Sequence, residues 1–235
     1  MSDARDQILG SIRRSLKRGP LDAAQTAPLE QRLSDPQRNI IPARAAGRDH
    51  AGQIDLFIAM AGEVQTTVTR VADPAAVPAA VADYLAQQNL PARLVMTPDP
   101  QLDDIPWDEQ RLLEIRRGRA EDSDAAGVTG CFAGVAETGT LMLTSGPSSP
   151  TRNNFLPDTH IVVMHDNQVV ATYEEGWTRL RAQQRQADGA WAMPRTVNFI
   201  TGPSRTGDIE QRIELGAHGP RRLHIVLIED GGPSS

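Results

Sequence analysis

The stretch that decides the fold is His160-Ile161-Val162-Val163-Met164, a short run that is apolar almost throughout. Residues 223–228 (LHIVLI) form a second run of the same kind. Strands without polar alternation are typical of parallel sheets, because helices cover such sheets on both faces and leave no solvated side. The two runs therefore predict buried, mostly parallel strands.

Segments with helical periodicity separate these apolar runs, and the alternation predicts an α/β fold. We predict helices over residues 50–61, 73–85 and 173–186 and a further helix from Asp208. The predicted strands span 64–71, 93–96, 112–115, 128–136, 139–145, 160–164, 196–201 and 223–228, with a short one near Val169. Since residues 128–136 and 139–145 would be neighbours joined at Glu137-Thr138, some strands should be antiparallel within a mostly parallel sheet flanked by helices.

The N-terminal 47 residues differ in composition from the rest of the chain. Ile8, Ile12 and Leu16 have helical spacing on a polar background and predict an amphipathic helix that ends before Gly19-Pro20. Residues 19–47 are rich in proline and arginine, which is typical of an extended or mobile connector, although an ordered segment packed on the main domain or on a second subunit is an equal alternative. We place the boundary of the main α/β domain, residues 48–235, near residue 48.

Charge and residue usage exclude several functions. The net charge of -6 is the wrong sign for a protein that binds phosphate backbones, so no nucleic-acid partner is expected. The sole lysine, Lys17, lacks the flanking glycines of a phosphate-binding P-loop and the setting of a Schiff-base lysine. The single cysteine, Cys131, rules out an intrachain disulfide, a multi-cysteine zinc site and a self-contained iron–sulfur cluster. We expect no metal or other cofactor in this chain.

The N-terminal segment has no apolar core of the kind found in signal peptides, and no run approaches the roughly 18 apolar residues that span a membrane. We therefore expect a cytoplasmic protein without a membrane span. The sequence leaves its oligomeric state open, homo-oligomers included.

Glu137 is the only formally charged residue between positions 125 and 151. A carboxylate among apolar and small residues either receives hydrogen bonds from the backbone or an arginine, or it serves a ligand. Thr138, Gly139 and Thr140 follow it and offer hydroxyls and room for close approach. A functional Glu137 and a tight hairpin in which Glu137 caps local amides are both open at this point.

Two predicted strands end in the same way, with Gly-Pro-Ser followed by hydroxyl and arginine residues. Such turns can direct N–H groups and hydroxyls at one anion, and the helix predicted from Asp208 would add its positive end. If the turns converge, they would bind a small carboxylate or phosphate; the alternative is ordinary turn chemistry. The candidate ligand-binding residues are Gly146, Ser148, Arg152 and Asn153 in the first loop and Gly202, Ser204, Arg205, Thr206 and Asp208 in the second.

Other motifs favour structural roles. His160 and His165 are five residues apart and would lie on opposite faces of a straight strand, so they do not indicate a metal site. Cys131 has small apolar neighbours and no adjacent base, which favours an inert buried thiol. The glycines at 127, 130 and 134 do not have the spacing of a dinucleotide-binding fingerprint.

Five motifs in order resemble the lactate-utilisation (LUD) domain family. They are Ala136-Glu137-Thr138-Gly139-Thr140, Ser145-Gly146-Pro147-Ser148, Leu156-Pro157-Asp158-Thr159-His160, GPSRTGDIE at 202–210 and GAHGP at 216–220. The resemblance implies a fold similar to the NagB/RpiA/CoA-transferase group. It also implies a place in a three-component system that oxidises L-lactate to pyruvate, with the iron–sulfur clusters on the partner subunits.

Two functions follow as hypotheses. In the first, the chain is a component of an L-lactate oxidation complex and has no redox centre of its own. In the second, it is a stand-alone CoA-transferase-like or small-anion-binding enzyme in which Glu137 is the catalytic residue and attacks an acyl group. In both, the residues around Glu137 and in the two Gly-Pro-Ser loops bind the ligand.

Overall fold

The structure is a computed structural model of the 235-residue chain, and it describes residues 2–17, 19–38, 40–186, 192–209 and 212–229. Contacts between residues divide the chain into two compact units, Met1–Ile40 and Ile41–Ser235. The sequence prediction placed the division near residue 48. Residues 41–47 therefore belong to the second unit, in which Ala45 is buried in a hydrophobic cluster.

The first unit contains two helices, α1 (Ser2–Ser15) and α2 (Ala23–Ser34). Helix α1 confirms the predicted N-terminal helix, and Ile8, Ile12 and Leu16 are exposed. Helix α2 occupies part of the segment for which we expected an extended connector or an ordered segment. It forms because Asp22 caps its first turn: the carboxylate accepts the Gln25 N–H, and the Gln25 side chain accepts the Asp22 N–H.

The second unit contains the remaining elements. Its helices are α3 (His50–Glu63), α4 (Val77–Gln87), α5 (Arg152–Phe155) and α6 (Tyr173–Gln184). Its strands are β1 (Thr67–Val71), β2 (Arg93–Met96), β3 (Glu114–Arg117), β4 (Ala126–Thr129), β5 (Ala133–Val135), β6 (Thr140–Thr144), β7 (Thr159–His165), β8 (Val169–Val170), β9 (Val197–Ile200), β10 (Arg205–Ile209), β11 (Arg212–Leu215) and β12 (Arg222–Ile228).

Six of these strands form a parallel sheet in the order β1-β12-β7-β4-β2-β3. Both faces are covered, and strand β7 shows how: Ile161 and Val163 pack in the hydrophobic cluster that includes α4, whereas Val162 and Met164 pack in the cluster that includes α3. Burial on both faces explains why β7 is apolar throughout. The predicted fold class is confirmed.

A second, four-stranded sheet has the order β8-β5-β6-β9 and packs against the α3 face of the parallel sheet. Strands β5 and β6 are antiparallel and joined through Glu137 and Thr138, as the sequence predicted. Gly139 closes this connection with a φ of +64°, and a Cβ atom there would lie 2.2 Å from the Ala61 nitrogen in α3. Only glycine allows the hairpin to lie this close to the helix backbone.

The predicted helix from Asp208 is wrong. Residues 205–209 form strand β10, which pairs antiparallel with β11. The sequence Arg-Ile-Glu-Leu at 212–215 alternates polar and apolar residues with the period of a strand, and β-branched Thr206 and Ile209 favour the same state. The described residues directly after the second Gly-Pro-Ser turn therefore do not begin a helix that would point its positive end at the turn. The helix end beside this turn is the C-terminus of α3, because a Cβ atom at Gly202 would lie 2.5 Å from the Val64 carbonyl oxygen.

Candidate functional site

The strand order of the parallel sheet reverses between the neighbouring strands β2 and β4. From β2 the chain moves outward to β3, returns to the other side of β2 for β4, and continues through β7 to β12. Adjacent carboxyl ends at such a reversal leave a crevice, and ligands of open α/β sheets bind there. The crevice in this protein lies beside Thr97 and Asp99, which follow β2, and Thr129 and Gly130 at the end of β4.

A polar cavity of about 210 Å³ fills this crevice, and we call it the aspartate cleft. Asp99 is 8% exposed; its Oδ1 accepts the Gln101 N–H at 3.1 Å and its Oδ2 accepts the Ser149 hydroxyl at 3.3 Å. Gly130 makes room for that carboxylate, because a Cβ atom at Gly130 would lie 2.7 Å from Asp99 Oδ2. The cleft is also lined by Thr97, Gln101, Thr129, Cys131, Ser148, Ser149 and Asn154.

Cys131 lies in the wall of this cleft, but its thiol is buried. The sulfur contacts the carbonyl oxygens of Ala133 and Met142 at 3.0 and 3.5 Å. Burial raises the pKa of the Cys131 thiol to about 12, so the group is a neutral thiol at pH 7 and a poor nucleophile. The predicted burial of Cys131 is confirmed.

Glu137 lies in the turn between β5 and β6 and is 6% exposed. Its Oε1 accepts the N–H of Tyr173, the first residue of α6, at 2.9 Å, and its own N–H donates to Ala171 at 3.1 Å. The positive end of the α6 helix dipole stabilises a carboxylate at this position. These contacts match the alternative in which Glu137 caps local amides, and its catalytic role stays a prediction.

Four hydroxyl groups meet beside the Glu137 turn. Thr140 Oγ1 lies 2.7 Å from Thr138 Oγ1, 2.6 Å from Thr201 Oγ1 and 2.9 Å from the Tyr173 hydroxyl. Thr140 is completely buried, so its hydroxyl is the centre of the group. The structure thus brings predicted residues Thr138 and Thr140 together with Thr201 and Tyr173, which the sequence did not single out as site residues.

The second Gly-Pro-Ser loop borders another cavity, of about 240 Å³, which we call the arginine cleft. It is lined by His160, Phe199, Thr201, Ser204, Arg205 and His218, among others. Arg205 Nη2 donates to the Val64 carbonyl at 3.0 Å, which holds the guanidinium at the rim. Burial lowers the pKa of His160 to about 3, so its ring is neutral at pH 7. Arg205 is therefore the group of fixed positive charge in this lining.

The Ser204 turn is held by the neighbouring loop. Its N–H donates to Pro220, its carbonyl accepts from Gly216, and its hydroxyl accepts the His218 N–H at 3.2 Å. The Ser204 N–H is thus engaged within the protein and does not point at a ligand. This turn fastens the segment 216–220, which explains why the two motifs occur together in the sequence.

The two Gly-Pro-Ser loops do not converge, so this expectation is wrong. Strands β6 and β9 are antiparallel, with Leu141 opposite Ile200 and Thr144 opposite Val197. The loop after β6 therefore leaves at the end where β9 begins, and the loop after β9 leaves at the other end. Gly146 and Ser148 lie at the aspartate-cleft end, whereas Gly202 and Arg205 lie at the arginine-cleft end.

The remaining predicted residues are distributed between these ends. Arg152 forms an ion pair with Asp122 at 2.6 Å, and both side chains are exposed. Asn153 is completely buried: its Oδ1 accepts the Ala120 N–H and its Nδ2 donates to Gly118, both at 2.9 Å, so it braces that loop. Thr206 and Asp208 lie in strand β10.

Sequence reasoning missed Thr97, Asp99, Thr129 and Gly130. The available signal for Thr97 and Asp99 was positional, since they directly follow the predicted strand 93–96 and ligand-binding loops occur at such strand ends. Thr129 and Gly130 lay inside the predicted strand 128–136, which is wrong as one strand: it divides into β4, ending at Thr129, and β5 in the other sheet. What was lacking was the strand order, which alone shows that β2 and β4 are neighbours at the reversal.

The described ranges of the chain contain no group of three or more His, Cys, Asp or Glu side chains placed to hold a metal ion. Within those ranges, every helix is too short or too polar to cross a lipid bilayer.

A mostly parallel sheet covered on both faces, with a small antiparallel sheet on one of them and clefts at its strand ends, defines an α/β protein of the open-sheet class. Residues 54–228 match the family model described as LUD domain, and the chain belongs to this family. The resemblance of the five sequence motifs is thereby confirmed.

Curated relatives include proteins named Lactate utilization protein C. The one from Deinococcus radiodurans is 33% identical over 126 residues, which is 53% of this chain and 54% of that protein. The one from Halalkalibacterium halodurans is 31% identical over 127 residues, 53% of this chain and 52% of that protein. In these alignments the chain spans about half the length of the curated relatives it matches.

A solved structure supports the fold. The crystal structure of a DUF162 family protein from Deinococcus radiodurans superposes with a TM-score of 0.57 at 28% sequence identity. The superposition covers 77% of this chain and 99% of that one.

Proposed function

We propose that this chain takes part in lactate utilisation, as a component of a system that oxidises L-lactate to pyruvate together with iron–sulfur partner subunits. The observation that carries the proposal is the LUD domain match over residues 54–228, joined to the 33% identity with a Lactate utilization protein C. The chain contributes no iron–sulfur cluster of its own, because its single cysteine cannot ligate one.

The arginine cleft suits the carboxylate of such a substrate. One N–H group of Arg205 donates to the Val64 carbonyl, which leaves several of the guanidinium's five N–H groups to donate to a carboxylate. Thr201, Ser204 and the neutral His160 supply polar atoms nearby, and Phe199 supplies an apolar wall. A small 2-hydroxy acid has the same combination of carboxylate, hydroxyl and methyl groups. We propose that L-lactate binds here.

Reconstitution tests the system as a whole. The chain is mixed with candidate iron–sulfur partner proteins, and lactate-dependent reduction of a dye is measured with and without the chain. The proposal expects dye reduction to require all components. Equal rates without the chain would contradict it.

Binding by the chain alone tests the cleft. Arg205→Ala should weaken L-lactate binding about tenfold or more, the scale of one charged hydrogen bond, in an NMR titration. Arg117→Ala is the matched control. Arg117 lies in the edge strand β3, outside the arginine cleft, and forms an ion pair with Asp103. Equal affinity of the Arg205 variant and the wild type for L-lactate would contradict the proposal that lactate binds in the arginine cleft.

A further inference from the structure

The aspartate cleft contains a nearly buried carboxylate without a cationic partner in the part of the chain that the structure describes. None of the ion pairs among those residues includes Asp99. Its hydrogen-bond partners are one N–H, from Gln101, and one hydroxyl at the long distance of 3.3 Å, from Ser149. A carboxylate offers about four acceptor positions, so Asp99 keeps acceptor capacity for a ligand.

The rest of the lining is polar and uncharged. The described lining residues other than Asp99 are hydroxyl, amide, glycine, thiol or apolar residues, and none of them carries a positive charge. A buried carboxylate without a counter-charge costs free energy, and a ligand that brings a positive charge with N–H donors removes this cost. An anion would be repelled by Asp99, and a neutral alcohol would leave the charge uncompensated.

We infer that the aspartate cleft binds a small ligand through a primary ammonium group. Such a group has three N–H donors, which Asp99 Oδ2 and the neighbouring Ser148, Ser149 and Gln101 oxygens can accept. The cavity of about 210 Å³ limits the ligand to a few heavy atoms beyond the ammonium. This site goes beyond lactate utilisation, because lactate carries the opposite charge and is assigned to the arginine cleft.

Gly130 is part of the same site. It leaves open the space beside Asp99 Oδ2, which a Cβ atom 2.7 Å away would occupy. Gly130→Ala should therefore displace the Asp99 carboxylate and reduce binding even though the charge is still present. This variant tests the geometry of the cleft independently of its charge.

Ethanolamine and ethylene glycol form a matched pair of probes, because they differ only in an ammonium against a hydroxyl group. The full chain is titrated with each by ¹H–¹⁵N NMR at constant ionic strength up to about 100 mM, the range in which ligands of four heavy atoms bind. Ethanolamine should shift the amide signals of Thr97, Gly130 and Ser149. Ethylene glycol should bind at least about tenfold more weakly, since it lacks the charge.

Three variants complete the test. Asp99→Asn should weaken ethanolamine binding at least about tenfold, and Gly130→Ala should weaken it similarly, with thermal unfolding confirming that both fold. Asp104→Asn removes a carboxylate from an exposed position in the same loop and should bind as the wild type does. Equal binding of the two probes, unchanged binding by the Asp99 variant, or no shift at these amides up to the highest concentration would each overturn the inference.

Discussion

The hydroxyl of Thr129 lies 2.8 Å from Nε2 of His160, and this contact joins the carboxyl end of β4 to the start of β7. Both side chains are almost completely buried. Thr129 lines the aspartate cleft and His160 lines the arginine cleft. A single hydrogen bond therefore connects the walls of the two cavities.

Burial keeps two histidines neutral, and this predicts loss of stability in mild acid. Desolvation lowers the pKa of His160 to about 3 and that of His224 to about 4, whereas an unfolded histidine has a pKa near 6.5. Below pH 6.5 the unfolded chain binds protons that the folded protein does not, so the free energy of unfolding falls as the pH decreases. The loss should reach about 2 kcal/mol per histidine by pH 5, measured by urea unfolding.

Variants assign this pH dependence to particular rings. In the His160→Gln variant, the part of the decline in the free energy of unfolding that the two histidines cause between pH 6.5 and 5 should be about half as large. His224→Gln should remove a similar share of the decline, because burial also lowers the pKa of that ring. An unaltered slope in the His160 variant would show that its ring does not stay neutral in the folded protein.

Gly139→Ala should destabilise the protein severely. The residue has a φ of +64°, and the new Cβ would lie 2.2 Å from the Ala61 nitrogen, a backbone atom that cannot move without shifting α3. We expect a loss of about 3 kcal/mol or more in urea unfolding.

Gly146→Ala is the control for that substitution. No heavy atom lies within 4 Å of a Cβ at Gly146, and the change should cost less than about 0.5 kcal/mol. If both alanine variants were equally stable, the close approach of the hairpin to α3 would be disproved.

Glu137→Gln should lower stability by about 0.5–1 kcal/mol. The amide keeps an acceptor for the Tyr173 N–H but loses the charge at the start of α6. Thermal or urea unfolding measures this loss of stability. Glu174→Gln provides the comparison, because it removes another carboxylate from the first turn of α6.

The same Glu137 variant distinguishes the structural from the catalytic role. Its lactate oxidation is measured in the reconstituted system under conditions in which it is fully folded. Activity equal to wild type would assign Glu137 to the fold alone. A loss far greater than the stability change explains would support the catalytic prediction.

Thr140→Val should cost about 2 kcal/mol. Valine preserves the shape but leaves Thr138, Thr201 and Tyr173 without their shared partner in a buried position. Thr178→Val on the exposed surface of α6 should have little effect. A loss below about 0.5 kcal/mol at Thr140 would mean that these hydroxyls find other partners, water included.

Much of the fold could be predicted from local patterns. The apolar runs of β7 and β12 locate the sheet interior because both faces of those strands are buried. The Glu137-Thr138 connection was also correct, since neighbouring strand patterns joined by a short turn form a hairpin. The predicted helix from Asp208 is wrong because pairing with β11 stabilises a strand there, and this pairing could not be read from the local sequence.

The candidate sites depended much more on tertiary structure. By itself, the sequence determined that Glu137 is isolated, that Cys131 is alone and that the chain carries the motifs of the LUD domain family. Only the tertiary structure placed the two Gly-Pro-Ser loops at opposite ends, and only it brought Asp99 beside Gly130. The physical reason is that helix and strand propensities act over neighbouring residues, whereas strand order and direction are set by burial and hydrogen bonding between segments far apart in the chain.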